Sequence, residues 1–339
     1  MKRVVGVILG TILILTSCDL VHEEVVMPIS DKLMEIPKGF PAMEHPEDNS
    51  FTQARWELGK KLFYDPILSV DQSVSCSSCH QASIAFSDQE TFSIGAMNRP
   101  GTRNAPTLAN IGYHPYFTRE GGVPTLEMQI LVPIQEHNEF DFNILLIADR
   151  LNQDSTYIRM ALEAYDREPD PFVITRAIAC FERSLISGLS PYDLFRNYDK
   201  KDALSESAKR GKDLFFSERT NCSSCHSGFN FTNYSFANNG LYESYQDEGR
   251  FRLTGDPADL ALFKVPTLRN IELTGPYMHD GSITSLSAVI DHYQTGGKNH
   301  TNKSQELASF QLNAQEKEDL ITFLLSLTDD YFVTNALYR

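Results

Sequence analysis

Apolar residues recur at helical spacing along most of this chain, and strand-like alternation of apolar and polar residues is scarce. We therefore predict a mainly α-helical protein. The predicted helices cover residues 51–63, 126–132, 142–164, 171–187, 205–216, 285–293 and 313–327. No comparable period is sustained in residues 19–50, where the chain is polar and punctuated by prolines, so this segment is predicted to be a tether that leads into the fold.

The chain begins with a different pattern. Lys2 and Arg3 precede an apolar stretch that ends in small residues, as in an export signal. The stretch is shorter than the roughly 20 apolar residues of a membrane-spanning helix. Its end, LTSC, resembles the lipobox of bacterial lipoproteins, which implies cleavage before Cys18 and a lipid chain on its sulfur. Residues 1–18 are thus predicted to be a lipoprotein signal peptide, a plain secretory signal being the alternative. The mature protein is expected in the periplasm or cell envelope, attached to a membrane only through Cys18.

Blocks of sequence occur twice in the same order, which indicates duplication of a whole domain. GKKLFY at 59–64 returns as GKDLFF at 211–216, CSSCH at 76–80 returns at 222–226, and PTLANI at 106–111 returns as PTLRNI at 266–271. The length of 339 residues agrees with two domains, since a domain has roughly 150 residues. We place the first domain at 51–190 and the second at 191–339.

The balance of charges narrows the choice of partners. The chain has 45 acidic and 30 basic residues, which gives a net charge of −15. A polyanion such as nucleic acid is therefore a poor partner, and a basic protein is a better one.

The repeated C-x-x-C-H pentapeptide indicates a specific chemistry. Thiols at i and i+3 lie on one face of a helical turn and can form thioether bonds to the vinyl groups of a haem, while the adjacent histidine reaches the iron. A thioredoxin-like motif requires a βαβ setting and leaves the histidine unexplained, and a zinc ribbon requires its cysteine pairs about 15–20 residues apart. We predict two covalently bound c-type haems, held by Cys76, Cys79 and His80 and by Cys222, Cys225 and His226.

Longer blocks resemble the bacterial di-haem cytochrome c peroxidases, including their relative that oxidises tryptophan residues during maturation of methylamine dehydrogenase. The blocks are LGKKLFYDPILS before SCSSCH, RNAPTLAN, TLEMQ, AKRGKDLFF before NCSSCH, and FKVPTLRNIELTGPYMHDGS. The resemblance implies two tandem cytochrome c-like domains, each with one haem. It also implies that hydrogen peroxide is reduced at the N-terminal haem, with electrons entering through the C-terminal haem from a cytochrome c or another periplasmic donor.

The sequence leaves two other functions open. One is a di-haem oxidase that modifies a protein or small molecule at a distance, as the tryptophan-modifying relative does. The other is a non-catalytic di-haem electron carrier. The sequence does not fix the oligomeric state, and a homodimer is compatible with it.

The resemblance also assigns roles to single residues. Glu127, in the TLEMQ block, matches the glutamate that stands over the peroxidatic iron as acid/base catalyst, and the alternative is a solvated residue on a helix surface. Asn104 and the carbonyl groups of Thr274 and Pro276 match the protein ligands of a calcium ion between the domains. Oxygen donors of this kind suit calcium.

The chain departs from the family pattern in ways that affect function. Many family members carry a histidine that blocks the peroxidatic iron, but residues 93–98 contain none, so the first haem is predicted to be open. The usual Trp-Asp-Gly-Arg before the catalytic glutamate is REGG at 119–122. The only tryptophan is Trp56, ahead of the first motif, so the tryptophan that commonly lies between the haems has no counterpart.

The distal ligand of the second haem has two main candidates, Met278 and Tyr293. A thioether opposite histidine is a common electron-transfer arrangement. In the family, however, the methionine ligand lies on the helix after the PYxHxG block, where this chain has Tyr293 and the tryptophan-modifying relative also has tyrosine. A phenolate is a hard anionic donor that stabilises ferric iron. We therefore favour Tyr293 over Met278, with the neighbouring His292 third.

Overall fold

The computed structural model describes residues 33–339. The predicted signal peptide, Cys18 and the first part of the predicted tether lie outside these residues. One antiparallel pair of strands, Phe236–Ala237 (β1) and Phe263–Lys264 (β2), places Phe236 opposite Lys264. The α-helices in this range are Gln53–Tyr64 (α1), Cys76–Cys79 (α2), Leu126–Gln129 (α3), Leu131–Gln135 (α4), Ile144–Leu151 (α5), Ser155–Tyr165 (α6), Pro171–Arg183 (α7), Pro191–Asn197 (α8), Glu206–Phe215 (α9), Phe251–Thr254 (α10), Leu286–Gln294 (α11), Ala314–Leu325 (α12) and Asp330–Thr334 (α13).

The prediction of a mainly α-helical chain is confirmed, but the single helix predicted over 142–164 is wrong. This segment forms α5 and α6, because Asp154 accepts a hydrogen bond from the Thr156 N–H at 2.7 Å and thereby caps a new helix. The short helices α8, α10 and α13 were not predicted, since they have too few turns to show a period. None of the helices between residues 33 and 339 is long and apolar enough to cross a membrane.

Each half of the molecule has a core built on three phenylalanine rings. In the first half, the ring centroids are 6.0 Å apart for Phe63 and Phe86, 5.1 Å for Phe63 and Phe181, and 6.4 Å for Phe86 and Phe181. In the second half, the ring centroids are 6.0 Å apart for Phe215 and Phe231, 5.2 Å for Phe215 and Phe323, and 6.3 Å for Phe231 and Phe323. The duplication in the sequence is therefore repeated in the packing of the two cores.

The two halves also share a close helix crossing, α1 on α7 and α9 on α12. A Cβ atom added at Gly59 would lie 1.8 Å from the carbonyl oxygen of Ala177, and one added at Gly211 would lie 1.8 Å from that of Asp319. No side chain fits at such a distance, so only glycine allows this approach of the backbones. This contact explains why both repeated GK blocks begin with glycine.

Residues 37–49, which we call the N-terminal strap, pack against both halves, so the predicted tether does not describe this part of the chain. The Phe40 ring lies 6.0 Å from the ring of Tyr113 and 4.7 Å from that of Phe229. Asn49, at the other end of the strap, is 1% exposed. One aromatic ring and one buried amide thus anchor a segment whose composition is otherwise typical of a linker.

The C-terminal end of the chain returns to the first half. The Phe332 and Tyr338 rings lie 5.6 and 6.1 Å from the Phe86 ring. The Tyr338 hydroxyl donates a hydrogen bond to the carbonyl oxygen of Ser184 at 2.7 Å. The boundary near residue 190 stays a prediction, but residues 332–338 contribute to the core of the first half.

Candidate haem sites

Both C-x-x-C-H motifs open onto one continuous cavity of about 1050 Å³. The first motif forms α2 and the second a 3₁₀ turn, Cys222–Ser224, and in each motif both cysteines and the histidine lie in the cavity wall. The volume is at the upper end of the range of about 300–1,000 Å³ that is usual for small-molecule sites. The cavity is therefore large enough for more than one ligand.

Both motif histidines are held so that Nε2 remains available. His80 Nδ1 donates a hydrogen bond to the carbonyl oxygen of Phe86 at 2.8 Å, and His226 Nδ1 donates to that of Phe231 at 3.2 Å. These bonds fix the tautomer and leave the Nε2 lone pair free to bind a metal. Burial lowers the pKa of both histidines, so both are neutral at neutral pH, which is the form that a metal binds.

Other features of the cavity wall also fit two covalent haems. None of the four motif cysteines is in a disulfide bond, so all four are available for thioether bonds. Among the described residues, His114 Nε2 and Gln129 Oε1 are buried polar atoms without a hydrogen-bond partner, and both residues line the cavity. Buried polar atoms almost always have a partner, so these two indicate that polar groups occupy the cavity. Haem, with its propionates and axial ligands, supplies such groups.

Glu127 lies on α3, and its carboxylate is turned towards α7. Arg183 donates Nη1 and Nη2 to the two carboxylate oxygens at 2.6 and 3.0 Å, and Asn49 of the strap donates to one of them at 2.8 Å. The Arg183 and Glu127 side chains are each 7% exposed. Neighbours of Glu127 in the sequence line the cavity itself: Leu126, Gln129 and Ile130. Glu127 is therefore a buried, ion-paired residue immediately behind the cavity wall.

Glu127 and Glu182 have pKa values that are moved in opposite directions. Burial by itself raises the pKa of Glu127, but the hydrogen bonds and charge of Arg183 outweigh this effect, so the pKa lies below its ordinary value. Burial raises the pKa of Glu182 to about 8. Glu182 lines the cavity, and it is therefore a protonated acid beside a carboxylate at neutral pH. In such a pair the carboxylate, here Glu127, is suited to act as the base, and the protonated carboxyl, here Glu182, is suited to act as the acid.

Neither Arg183 nor Glu182 was predicted from the sequence to be functional. The duplication contains a signal that would have found Glu182: Gly59 packs on Phe181 as Gly211 packs on Phe323, so the residue that matches Glu182 is Leu324. A carboxyl in one repeat at the position of a leucine in the other indicates a role that only one site has. No comparable signal pairs Arg183 with Glu127, since the two are distant in sequence.

Tyr293 and Met278 both lie in the wall of the second site. Asn239 donates a hydrogen bond from Nδ2 to the Met278 sulfur at 3.1 Å, and its carbonyl oxygen accepts one from His292 Nε2 at 2.9 Å. These contacts engage His292 and the Met278 sulfur. Burial raises the pKa of Tyr293 to about 12, against the opposing hydrogen bond from Asn239.

Known proteins are similar to this chain over most of its length. The family model for di-haem cytochrome c peroxidases matches residues 53–201, and the cytochrome c model matches residues 208–328. The methylamine utilization protein MauG of Methylorubrum extorquens is 36% identical over 292 residues, which cover 84% of this chain and 81% of the relative. Cytochrome c551 peroxidase of Nitrosomonas europaea is 34% identical over 280 residues, which cover 81% of this chain and 80% of the relative. This chain belongs to the di-haem cytochrome c peroxidase family.

A solved structure in this group belongs to a MauG-like protein associated with microbial copper homeostasis. It is 34% identical, with a TM-score of 0.86, and the match covers 90% of this chain and 98% of that one. Membership of the di-haem cytochrome c peroxidase family confirms two cytochrome c-like domains and implies two c-type haems. The relatives include both peroxidases and MauG, so membership establishes an oxidoreductase.

The calcium ion predicted from the di-haem peroxidase resemblance does not fit the side chains at its position. Asn104 Nδ2 donates a hydrogen bond to the carbonyl oxygen of Pro276 at 2.7 Å. Arg119 Nη2 donates to the Asn104 carbonyl oxygen at 2.9 Å and also to its side-chain oxygen. Thr274 lies in the cavity wall nearby. A guanidinium group therefore already occupies both oxygens of Asn104.

Trp56 is a core residue of the first half. It is 6% exposed, its Nε1 donates a hydrogen bond to Ser184 Oγ at 2.8 Å, and its ring lies 5.8 Å from that of Phe181. Trp56 does not line the cavity, so it does not replace the tryptophan that commonly lies between the haems of the family. In this chain REGG at 119–122 stands where the family usually has Trp-Asp-Gly-Arg, and its first residue, Arg119, lies in the cavity wall.

Proposed function

We propose that this protein reduces hydrogen peroxide to water at the site of the first motif, with electrons delivered through the site of the second. The observation that carries the proposal is the asymmetry of the two sites. The first has two buried carboxyl groups, Glu127 and Glu182, at or immediately behind its wall. The second has Leu324 where the first has Glu182. The first site therefore has an acidic group, Glu182, that the matching position of the second site lacks.

Reduction of one peroxide molecule uses two electrons and two protons and forms two molecules of water. When bound, a haem supplies the iron at which the O–O bond is broken. Arg183 holds Glu127 as a carboxylate. Since this carboxylate lies behind the cavity wall and not in it, Glu127 takes a proton from peroxide through a bridging water molecule. Glu182, with a pKa raised by burial to about 8, supplies a proton to the leaving oxygen.

The stretch of residues 93–98 supports an open first site. Ser93 and Gly95 line the cavity, but the Met97 side chain is 56% exposed, and its backbone N–H donates a hydrogen bond to Asp71 at 2.8 Å. The stretch contains no histidine that could block the iron. Peroxide thus reaches the first site without prior reduction of the second haem.

Tyr293 is the proposed distal ligand of the second haem. Its support is its place in the cavity wall, at the position of the ligand in the family pattern, while His292 Nε2 is engaged by the Asn239 carbonyl oxygen. A tyrosine ligand is anionic when bound, and the metal itself provides the positive charge that favours the phenolate over the buried phenol.

The proposed donor is a small basic cytochrome c, because a chain with a net charge of −15 attracts a positively charged partner. The proposed location is the periplasm or cell envelope, with a lipid anchor at Cys18, which lies outside the described residues. The proposed protein contains two haems. It contains no calcium ion at Asn104, because Arg119 donates hydrogen bonds to both oxygens of that residue.

The test is the reaction of the oxidised holoprotein with peroxide, followed by turnover with reduced cytochrome c. Glu127→Gln should leave both haem spectra nearly unchanged and slow the reaction with peroxide by about 100-fold or more. Glu57→Gln, an exposed glutamate on α1, is the matched control and should react at the wild-type rate. A wild-type rate constant for Glu127→Gln would remove Glu127 from the mechanism.

A second candidate function is oxidation of a protein or small molecule at a distance. The presence of Tyr293 in the wall of the second site favours it, because a hard anionic ligand stabilises the oxidised iron and so suits a site that stores oxidising equivalents. Under this alternative, the holoprotein would keep oxidising equivalents after peroxide is added, and turnover would not depend on reduced cytochrome c. Rapid peroxide consumption that requires reduced cytochrome c would support the peroxidase.

A further inference from the structure

The junction between the two halves contains an arginine that is connected to both. The Arg119 guanidinium donates to Asn104, whose amide in turn donates to the carbonyl oxygen of Pro276 in the second half. The Arg119 carbonyl oxygen accepts a hydrogen bond from the Lys264 N–H at 2.7 Å. Arg119 thus joins residues of the first repeat to two separate segments of the second.

Both oxygens of Asn104 and its side-chain amide nitrogen are engaged by these contacts. A calcium ion needs oxygen atoms that are free to coordinate it, six to eight in total. Here both oxygens of Asn104 accept hydrogen bonds from a cation, and the Pro276 carbonyl oxygen accepts one from the Asn104 amide. A second cation at the same oxygens would lie next to the guanidinium charge and would be repelled by it.

Two carboxylates at the junction are already paired with arginine. Arg103 contacts Glu120 at 2.5 Å and Asp247 at 2.6 Å. Those carboxylates belong to the two different halves, so a second arginine also bridges the junction. The described residues contain no cluster of three or more histidine, cysteine, aspartate or glutamate side chains able to hold a metal ion.

We propose that the Arg119 guanidinium is a permanent internal cation at this junction and takes the place of the calcium ion that the family resemblance predicts. The protein then needs no calcium to hold its two halves together. Arg119 is the first residue of the REGG block, so the departure from the family pattern in sequence and the loss of the metal site have one cause. This inference does not depend on peroxide reduction.

The first test uses the wild-type holoprotein. We expect less than stoichiometric calcium by elemental analysis after purification without chelator, and the same melting temperature in excess EGTA and in millimolar calcium. About one calcium ion per chain, or a melting temperature that falls in EGTA, would overturn the proposal. Both results are independent of activity.

The second test removes the guanidinium. Arg119→Ala should gain a calcium site, because the Asn104 oxygens become free and the junction loses a positive charge. At calcium concentrations about 100-fold above the dissociation constant, its melting temperature should rise by about 5 °C or more. Arg250→Ala is the matched control, since Arg250 donates to the Glu120 carbonyl oxygen at 2.7 Å and not to Asn104. That control should gain no response to calcium.

Arg119→Lys provides a version that keeps the positive charge. It should remain insensitive to calcium and EGTA, as the wild type is. A folded Arg119→Ala protein with no response to calcium would show that Arg119 does not occupy a cation site. If Arg119→Ala does not fold, the wild-type calcium content and the Arg119→Lys protein still decide the question.

Discussion

Removal of the guanidinium group of Arg183 should destabilise the protein measurably. In Arg183→Met a side chain of similar length keeps the packing, but Glu127 loses its hydrogen bonds at 2.6 and 3.0 Å while it remains buried. Both side chains are 7% exposed, so bulk water does not hydrate the carboxylate freely once its partner is lost. Breaking a buried ion pair in this way costs about 3–5 kcal/mol. Since about 1 kcal/mol corresponds to about 2–4 °C in domains of about 150–250 residues, the melting temperature should fall by about 6 °C or more.

The same substitution should change the pH dependence of the reaction with peroxide. Burial raises the pKa of Glu127, and Arg183 and the hydrogen bond from Asn49 lower it, so removal of Arg183 shifts this pKa upward while the weaker effect of Asn49 remains. An opposite charge at this range lowers a carboxyl pKa by about 1–3 units, so the acid limb of the rate profile should move up by about 1–3 pH units. The wild type has a lowered pKa for Glu127, so the stability from this pair is present above the unfolded pKa. That stability is lost as the pH falls through the folded pKa.

Arg176→Met is the matched control, because it removes an arginine from the same helix. Arg176 pairs with Asp48, and the side chains are 23% and 48% exposed, so the change should cost less than about 1 kcal/mol. The double variant Glu127→Gln, Arg183→Met should recover part of the stability lost in Arg183→Met, since the uncompensated charge is gone. A wild-type melting temperature and acid limb in Arg183→Met would refute the reasoning.

Three other predictions concern the second haem, the second carboxyl and the anchor. Tyr293→Phe should change the ligation of the second haem in the oxidised spectrum and Met278→Leu should not, and loss of the sixth ligand in Met278→Leu alone would overturn the assignment. Burial raises the pKa of Glu182 from 4.5 to about 8, so between pH 4.5 and about 8 the folded protein binds one more proton than the unfolded chain. The free energy of unfolding therefore falls as the pH rises through this range. Glu182→Leu should therefore raise the melting temperature at pH 8.5 relative to the wild type, and an unchanged slope of melting temperature against pH would contradict this. Cys18→Ala should release the mature protein into the soluble fraction, and a protein that still pelleted with membranes after cleavage would exclude a lipid anchor.

The sequence by itself determined the features that depend on neighbouring residues. Covalent haem attachment requires Cys76, Cys79 and His80 within one turn, so five consecutive letters were enough to predict it. Helical period and the repeated blocks likewise predicted a mainly α-helical chain with two related halves. The requirement for glycine at Gly59 and Gly211 is visible as a repeated letter, although its cause, a backbone oxygen 1.8 Å from an added Cβ, is a tertiary contact.

Only the tertiary structure decided which distant residues meet. Arg183 meets Glu127, and Asn49 reaches the same carboxylate from a segment whose composition is typical of a tether. Arg119 reaches Asn104 and so fills a position where the resemblance alone predicts a metal ion. Periodicity reports only which face of an element is buried, whereas these contacts depend on how loops close and on where each buried charge finds a partner. A buried charge must be compensated by whatever the completed fold places beside it, and for that reason the charges around the haem sites could not be paired from the order of the residues.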